Sequence, residues 1–251
     1  MKEDLMAKKE SSKEDEKFHP WRVCPYGEHW VEEHPLRVPP SEKNPLGYMT
    51  VRRAHCAKNP TGRDQLYTDE IHQIRNIHFT KIDKNLCTIQ DFKEIGNAYD
   101  DLIIGWTQYW NEILKPSEPL DPKLVKALIA SESSFNPTVL ANSKNSNSAR
   151  GLLQLTNATR KILGDENGEL KDHLITVTRS DLSDPNINIC SGVRWLFQKR
   201  YIASKKLKRD ASWEEAVFEY KGLSKAKSED KKRDILNSFL RYYKELKVCK
   251  K

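Results

Sequence analysis

The sequence contains no stretch long and apolar enough to cross a membrane, and its apolar content is modest. No run of about 18 apolar residues occurs in the chain, so no transmembrane helix is expected. Hydrophobic residues make up 37% of the 251 residues and charged residues 31%, which limits the core and predicts some extended or loosely packed chain. The first twenty residues mix Lys with Glu and Asp and have no apolar segment of the kind found in an ordinary secretory signal.

Cysteine is sparse, and its pattern leaves several interpretations open. Five cysteines leave at least one unpaired if disulfides form within the chain, and Cys190, in a predicted apolar helix, is expected to be a small core residue. Possible metal ligands near the N-terminus are Cys24, His29, His34, His55 and Cys56. Adjacent His55 and Cys56 suit one tetrahedral zinc site poorly, so these are weak candidates and no metal or cofactor is predicted. Plain packing is favoured over both a zinc site and a Cys24–Cys56 disulfide.

Positive charge is concentrated at the C-terminus. Residues 221–251 carry 11 Lys/Arg and 4 Asp/Glu, a balance of +7 that equals the net charge of the whole chain. A solvated helix face is the favoured interpretation, and attraction to an anionic polymer is the alternative. No RNA-binding motif with interleaved aromatic residues, zinc-finger spacing or helix-turn-helix signature accompanies the charge, so nucleic acid is not expected as a partner.

Composition and periodicity divide the chain into three parts. Residues 1–17 are predicted to be a disordered charged tail, and residues 18–80 a small Cys/His/Pro-rich module, irregular or β-containing, with a candidate strand at Tyr48–Arg53. Residues 88–251 are predicted to form a helical domain. The predicted helices are 91–114, 122–132, 158–163, 187–202, 213–220 and 230–248, with Asn186 and Ser212 as N-caps. The predicted fold class is therefore mainly α with a small N-terminal addition.

One carboxylate is placed at the end of a short apolar helix. The apolar stripe of this helix, roughly 140° wide, consists of Leu124, Val125, Leu128 and Ile129. Glu132 projects near the middle of the stripe, whereas Lys123 and Lys126 are expected on the other side. Burial and the carbonyl end of a helix both disfavour a charged carboxylate, so Glu132 is a candidate proton donor. The alternative is a structural role, in which Glu132 caps a turn or pairs with an arginine.

Four segments beginning at Glu132 follow one another in a recognisable order. They are Glu132-Ser-x-Phe-Asn-Pro137, Ala149-x-Gly-Leu-x-Gln-Leu155, Asp184-Pro-x-x-Asn-Ile-x-x-Gly-x-x-Trp-Leu196 and Glu219-Tyr-x-Gly222. Together they resemble the catalytic domain of soluble-type lytic transglycosylases, relatives of goose-type lysozyme, over roughly residues 121–243. The resemblance implies a lysozyme-like helical catalytic domain.

The resemblance also implies a reaction. Glu132 would protonate the β-1,4 glycosidic oxygen between N-acetylmuramic acid and N-acetylglucosamine, then act as base while the muramic 6-hydroxyl closes a 1,6-anhydro ring. The acetamido group of the substrate assists, so one enzymic carboxylate suffices, unlike in most glycosidases. Two alternatives stay open: a hydrolytic muramidase of the same fold, in which Asp165, Glu166 or Asp172 supports a water, and a non-catalytic protein that binds the cell wall.

The remaining site residues are carried over from the family motifs. Gln154 is expected to line the cleft beside the acid, and Tyr220 to reach Glu132 with its phenol and hold it in place. Ser133 and Ser148 are expected to make loop hydrogen bonds near the acid. All four residues are therefore candidates for substrate binding, although an exposed Gln and a core Tyr would be the ordinary roles of two of them.

Two departures from the family pattern affect the site. Gly151 follows Glu132 by 19 positions, several more than is usual, and the extra residues fall in the loop 142–147. Lys221 stands where the family has Asn after the Tyr, and it is expected either to contact a carboxylate of the substrate or to face solvent.

The implied partner is the glycan strand of peptidoglycan, and protein partners are not predicted. The implied place of action is the periplasm or the cell wall. Without a signal in the sequence, the expected export routes are a removed signal, a dedicated secretion machine or release on lysis.

Overall fold

The computed structural model describes residues 20–249, except residues 84, 146, 171 and 224–228 and the side chains of 229–233. The described part contains seven helices, α1 (Thr68–His78), α2 (Asp100–Leu114), α3 (Pro122–Ser133), α4 (Asn157–Leu163), α5 (Pro185–Leu207), α6 (Trp213–Tyr220) and α7 (Glu229–Val248). The strands are β1 (Glu28–Val31), β2 (His34–Val38), β3 (Tyr48–Arg52), β4 (His55–Lys58), β5 (Gln65–Tyr67) and β6 (Leu174–Thr176). The predicted fold class, mainly α with a small β-containing N-terminal region, is confirmed. The predicted tail, residues 1–17, lies outside the described residues, and none of the described helices could span a membrane.

Local sequence signals explain where the site helices begin. Asp121 caps α3 by accepting a hydrogen bond from the backbone N–H of Lys123, and Pro122 follows at the first helical position, where it needs no donor. Ser212 and Glu215 form a reciprocal capping box at α6, which confirms Ser212 as an N-cap. The N-cap prediction for Asn186 is wrong, because Asp184 caps α5.

Helix α5 is the centre of the helical domain, and α2 packs against it through two tryptophans. The indole N–H of Trp106 donates to Oδ1 of Asn186 at 2.8 Å, so the predicted cap residue serves a buried contact instead. The indole N–H of Trp110 donates to the carbonyl of Cys190 at 3.0 Å. Cys190 is buried and unpaired, as predicted for a small core residue.

The predicted long helix 91–114 starts only at Asp100, because a buried lysine reshapes the chain before it. Lys126 was expected on the polar side of α3, but its side chain is fully buried. Its ammonium pairs with Asp100 at 2.8 Å and donates to the carbonyl of Cys87 at 2.6 Å and to Oδ1 of Asn97 at 2.8 Å. An ammonium in the core requires such partners, and they hold residues 87–97 as a loop with a short 3-10 turn over α3.

The N-terminal module consists of two antiparallel ribbons, one pairing β1 with β4 and the other β2 with β3. Cys24 and Cys56 form a disulfide with a Cα–Cα distance of 5.6 Å, so the preference for plain packing is wrong and neither thiol is free to bind zinc. His29 bonds Oδ1 of Asn59 at 2.7 Å, and the rings of His34 and His55 bond backbone carbonyls at 3.0 Å. Among the described residues, no cluster of three or more His, Cys, Asp or Glu is arranged to hold a metal.

The module is joined to the helical domain by a strand pair and a buried ionic cluster. Strand β5 pairs in parallel with β6, and the helix that follows β5 places Ile71 and Ile74 in the main core. The guanidinium of Arg22 bonds Asp64 and Glu70, and all three side chains are almost completely shielded from solvent. The sequence predicted neither α1 nor this cluster. Helix α1 precedes the proposed boundary near residue 80, yet it packs into the core of the helical domain that follows the boundary.

We expect a loss of stability in acid, because His173 bonds Asp64 of this cluster. Burial lowers the pKa of His173 from 6.5 to about 4. The charge of Asp172 opposes this shift, and the charges of Arg194 and Arg22 add to it. Nδ1 of His173 lies 2.8 Å from Oδ2 of Asp64, a hydrogen bond that a neutral imidazole can donate. As the pH falls, the imidazole of His173 is therefore protonated at a higher pH in the unfolded chain than in the folded protein. The stability that neutral His173 contributes is fully present above pH 6.5 and is lost as the pH falls towards about 4.

Urea unfolding measured at several pH values tests this prediction. The free energy of unfolding should fall steadily across that window, and more shallowly in the variant His173→Asn, which keeps a donor for Asp64 and tolerates the φ of +53° at this position. An identical slope in the variant would contradict the assignment to His173.

Candidate functional site

Glu132 lies one residue before the end of α3, at a sharp turn of the chain. Ser134 and Phe135 both have positive φ, +51° and +61°, and the ring of Phe135 is buried against Phe92. This turn ends the helix and leaves the side chain of Glu132 18% exposed. The carboxylate is therefore reachable from solvent but surrounded mainly by protein.

The partner of the Glu132 carboxylate is Lys221. Its Nζ forms an ion pair with Oε1 of Glu132, and the lysine side chain is only 4% exposed. Lys221 caps the C-terminus of α6, so the end of this helix delivers the ammonium to the end of α3. Lys221 was expected to contact a carboxylate of the substrate or to face solvent. Neither expectation describes this contact, because the lysine pairs with Glu132 itself.

Tyr220 lies beside the same carboxylate but bonds elsewhere. Its hydroxyl donates to the carbonyl of Leu153 at 2.6 Å, which uses its one proton. Burial, and secondly the charge of Glu132, raise the pKa of Tyr220 well above its usual value. The tyrosine thus anchors the segment around Leu153 next to the acid, whereas the resemblance had assigned it a direct bond to Glu132.

The second motif forms a tight turn that docks on α5. Gly151 has φ +74°, and a Cβ there would lie 2.3 Å from Nδ2 of Asn188 and 2.5 Å from the carbonyl oxygen of Leu182. The amide of Asn188 fixes the turn, because its Oδ1 accepts from the N–H of Leu153 at 2.8 Å and its Nδ2 donates to the carbonyl of Leu182. Gly192, which like Asn188 belongs to α5, leaves room for the side chain of Leu153. The spacing of the second and third motifs therefore follows from one packed interface.

Gln154 is held within this turn. Its Nε2 donates to the carbonyl of Gly151 at 2.9 Å and to that of Val139 at 3.3 Å, and its side chain is half-buried. These bonds orient the amide group through its nitrogen. An amide oxygen can accept a hydrogen bond from a sugar hydroxyl.

The two serine candidates use their hydroxyls inside the protein. Ser133 is buried and donates to the carbonyl of Ile129 at 3.1 Å. Ser148 donates to the carbonyl of Asn142 at 3.0 Å and accepts from the N–H of the same residue. Ser133 thus supports the end of α3, and Ser148 closes the loop 142–148.

Two of the three carboxylates considered as supports for a water, Asp165 and Asp172, have structural contacts. Asp172 accepts from the backbone N–H groups of Asp64 at 3.0 Å and His173 at 2.8 Å, at the junction with the N-terminal module. Asp165 accepts from the N–H of Asn167 within its own turn. These bonds belong to the junction and to the loop after α4, and none of them involves Glu132.

Residues 108–237 match the family described as Transglycosylase SLT domain, which covers slightly more than half of the chain. The chain belongs to this family. The SLT domain indicates a transglycosylase-type function that acts on the peptidoglycan of the cell wall. It includes Glu132, Gln154, Tyr220 and Lys221, whereas the N-terminal module lies outside the match. No curated protein matches the chain.

Proposed function

We propose that the protein is a lytic transglycosylase in which Glu132 is the single acid and base. The observation that carries the proposal is the position of this carboxylate: it is mostly shielded from solvent at the end of α3 and pairs with Lys221. The residue before Lys221, Tyr220, bonds the turn that contains Gln154. This arrangement suits proton transfer to a sugar oxygen held against the turn.

The reaction needs no second protein carboxylate and no water. Glu132 donates its proton to the bridging oxygen, the bond from that oxygen to the anomeric carbon of the muramic residue breaks, and the acetamido group stabilises the cationic centre. The muramic 6-hydroxyl then bonds the same carbon and gives its proton to Glu132. Glu132 ends the cycle protonated as it began, and the products are a free 4-hydroxyl and a 1,6-anhydro end.

Lys221 positions the acid for this cycle. Its Nζ pairs with Oε1 of Glu132, so the end of α6 fixes the direction of the carboxylate at the end of α3. Among the described residues, the titratable side chains shown to interact with Glu132 are Lys221 and Tyr220.

The disulfides support action outside the cytoplasm. Besides Cys24–Cys56, Cys87 pairs with Cys249, which ties the end of α7 to the loop before α2. Disulfides of this structural kind persist in oxidising compartments such as the periplasm and are rare in the cytosol. We propose the periplasm or the cell wall as the place of action.

Digestion of purified murein sacculi tests the proposed activity. Mass spectrometry of the soluble fraction should find muropeptides with anhydro ends, each lighter by one water than the corresponding reducing-end product. Reducing ends would instead identify a hydrolytic muramidase. Binding to sacculi without any released product, from a correctly folded sample, would support the non-catalytic alternative.

A further inference from the structure

A trough lies between the N-terminal module and the SLT domain, away from the contacts that surround Glu132. This junction trough has a volume of about 710 Å³, within the range of roughly 300–1,000 Å³ that is typical of ligand sites. Its module side includes His29, Trp30 and Tyr67, and its SLT side includes Arg160, Arg179 and Asp181.

The module side of the junction trough carries aromatic rings. The rings of His29 and Tyr67 lie 4.0 Å apart between centroids, and the ring nitrogen of His29 is fixed by Asn59. Trp30 lies next to His29 on β1, and Tyr67 ends β5. Rings held in this way on strands provide flat apolar faces against which the C–H faces of sugar rings can pack.

The SLT side of the trough carries arginines. A neighbouring hollow of about 500 Å³ shares Arg160 and Arg179 with the junction trough and adds Arg150. Arg160 is oriented by bonds to Oδ1 of Asn157 at 2.9 Å and to the carbonyl of Val177 at 2.8 Å, and Arg179 is exposed. Guanidinium groups arranged like this favour carboxylates or phosphates.

Two carboxylates in the trough favour a sugar over a phosphate polymer. Asp181 accepts from the hydroxyl of Thr68 at 3.2 Å and from the N–H of Thr178 at 2.7 Å, and Asp69 accepts from the N–H of Glu32 at 3.1 Å. Fixed carboxylates accept hydrogen bonds from sugar hydroxyls but repel the closely spaced phosphates of a nucleic acid.

We propose that the junction trough is a second binding site for peptidoglycan. A sugar unit of the polymer binds the aromatic rings of the module side, and the carboxylates of the attached peptide bind the arginines of the SLT side. The trough is incomplete without the module, which lies outside the SLT match, so the site is a property of this chain rather than of the SLT domain. The choice of ligand rests on the proposed function. The site would hold the polymer while Glu132 acts on another part of it.

Nuclear magnetic resonance of the full chain carrying Glu132→Gln tests this proposal without cleavage. The probe is the disaccharide tetrapeptide released from sacculi by a muramidase, compared with a peptide-free chitooligosaccharide. Addition of the probe should shift the backbone amide signals of Thr68, Thr178 and Arg179, as a set distinct from those of Gln154 and Lys221. The peptide-free sugar should shift the first set only at much higher concentration.

Two variants in the same background separate the arginine contact from general charge. Arg179→Gln should weaken binding of the probe at the Thr68 and Thr178 amides by at least about fivefold, the effect of losing one charge-assisted hydrogen bond. Arg75→Gln, which removes an equal charge from an exposed position on α1, should change it little. Circular dichroism melting curves confirm that both variants are folded.

Three results would overturn the proposal. One is a set of shifts confined to the region of Gln154 and Lys221, and another is equal binding by Arg179→Gln. The third is a shift of the trough amides by a single-stranded oligonucleotide but not by the muropeptide. Anhydro products from the wild-type protein together with any of these results would leave the proposed activity standing and remove the second site alone.

Discussion

Replacement of Glu132 by glutamine is expected to abolish the cleavage of peptidoglycan while leaving the protein folded. The amide has the same shape as the carboxyl group and can still accept a hydrogen bond from Lys221, but it cannot donate or take up a proton in the reaction. General acid and base catalysis contributes about 10² to 10⁴ in rate, and here one group performs both roles. We expect a loss of at least about 10³-fold, measured as soluble muropeptides released from sacculi.

A neighbouring ion pair provides the matched control for this experiment. Glu219 of α6 pairs with Lys206 at 2.7 Å, so Glu219→Gln removes one carboxylate from a similar lysine contact without touching Glu132. This variant should retain most of the activity, and the melting temperatures of both variants should stay close to that of the parent. Glu132→Gln with more than a tenth of the parent rate, or an equal loss in Glu219→Gln, would contradict the assignment.

The second large effect is expected at Gly151. An alanine there would have to adopt φ +74°, at a cost of about 1–2 kcal/mol, and its Cβ would overlap the amide of Asn188 and the carbonyl oxygen of Leu182. Overpacking of this kind costs roughly a further 1–3 kcal/mol. We therefore expect Gly151→Ala to lower the free energy of unfolding by about 3 kcal/mol, measured by urea denaturation. The variant should also lose activity, because the turn carries Gln154 and the Leu153 carbonyl that anchors Tyr220.

The chain offers a control that separates the two costs. Gly62 has φ +68°, and a Cβ at this position would meet nothing within 4 Å. Gly62→Ala should therefore show only the conformational cost, about 1–2 kcal/mol, with activity unchanged. Equal destabilisation by the two variants would mean that the turn does not dock on α5 as described.

The positions of α3 and α6 and the four motifs were accessible from the sequence because they depend on local patterns. Apolar periodicity together with Pro122 and Ser212 defined α3 and α6 to within a residue. Glu132, Gln154 and Tyr220 were selected because their motifs occur in a fixed order, and the packing of Gly151 on Asn188 explains why two of those motifs occur together.

The electrostatic partners were not accessible, since they depend on which chain segments meet in space. Lys126 has the spacing of a solvent-facing residue, yet Asp100 and two loop oxygens complete a buried site for its ammonium. Lys221 follows Glu132 by 89 positions, and only the meeting of the ends of α3 and α6 brings the two together. The disulfides likewise join cysteines 32 and 162 positions apart.

The central claim, a single carboxylate that cleaves the glycosidic bond without water, is tested most directly by digestion of sacculi in water enriched in heavy oxygen. If Glu132 returns the proton of the muramic 6-hydroxyl to the cycle, the newly formed muropeptide ends are anhydro and carry no heavy oxygen. Incorporation of one heavy oxygen into each new reducing end would show that water attacks the anomeric carbon, and would contradict this account.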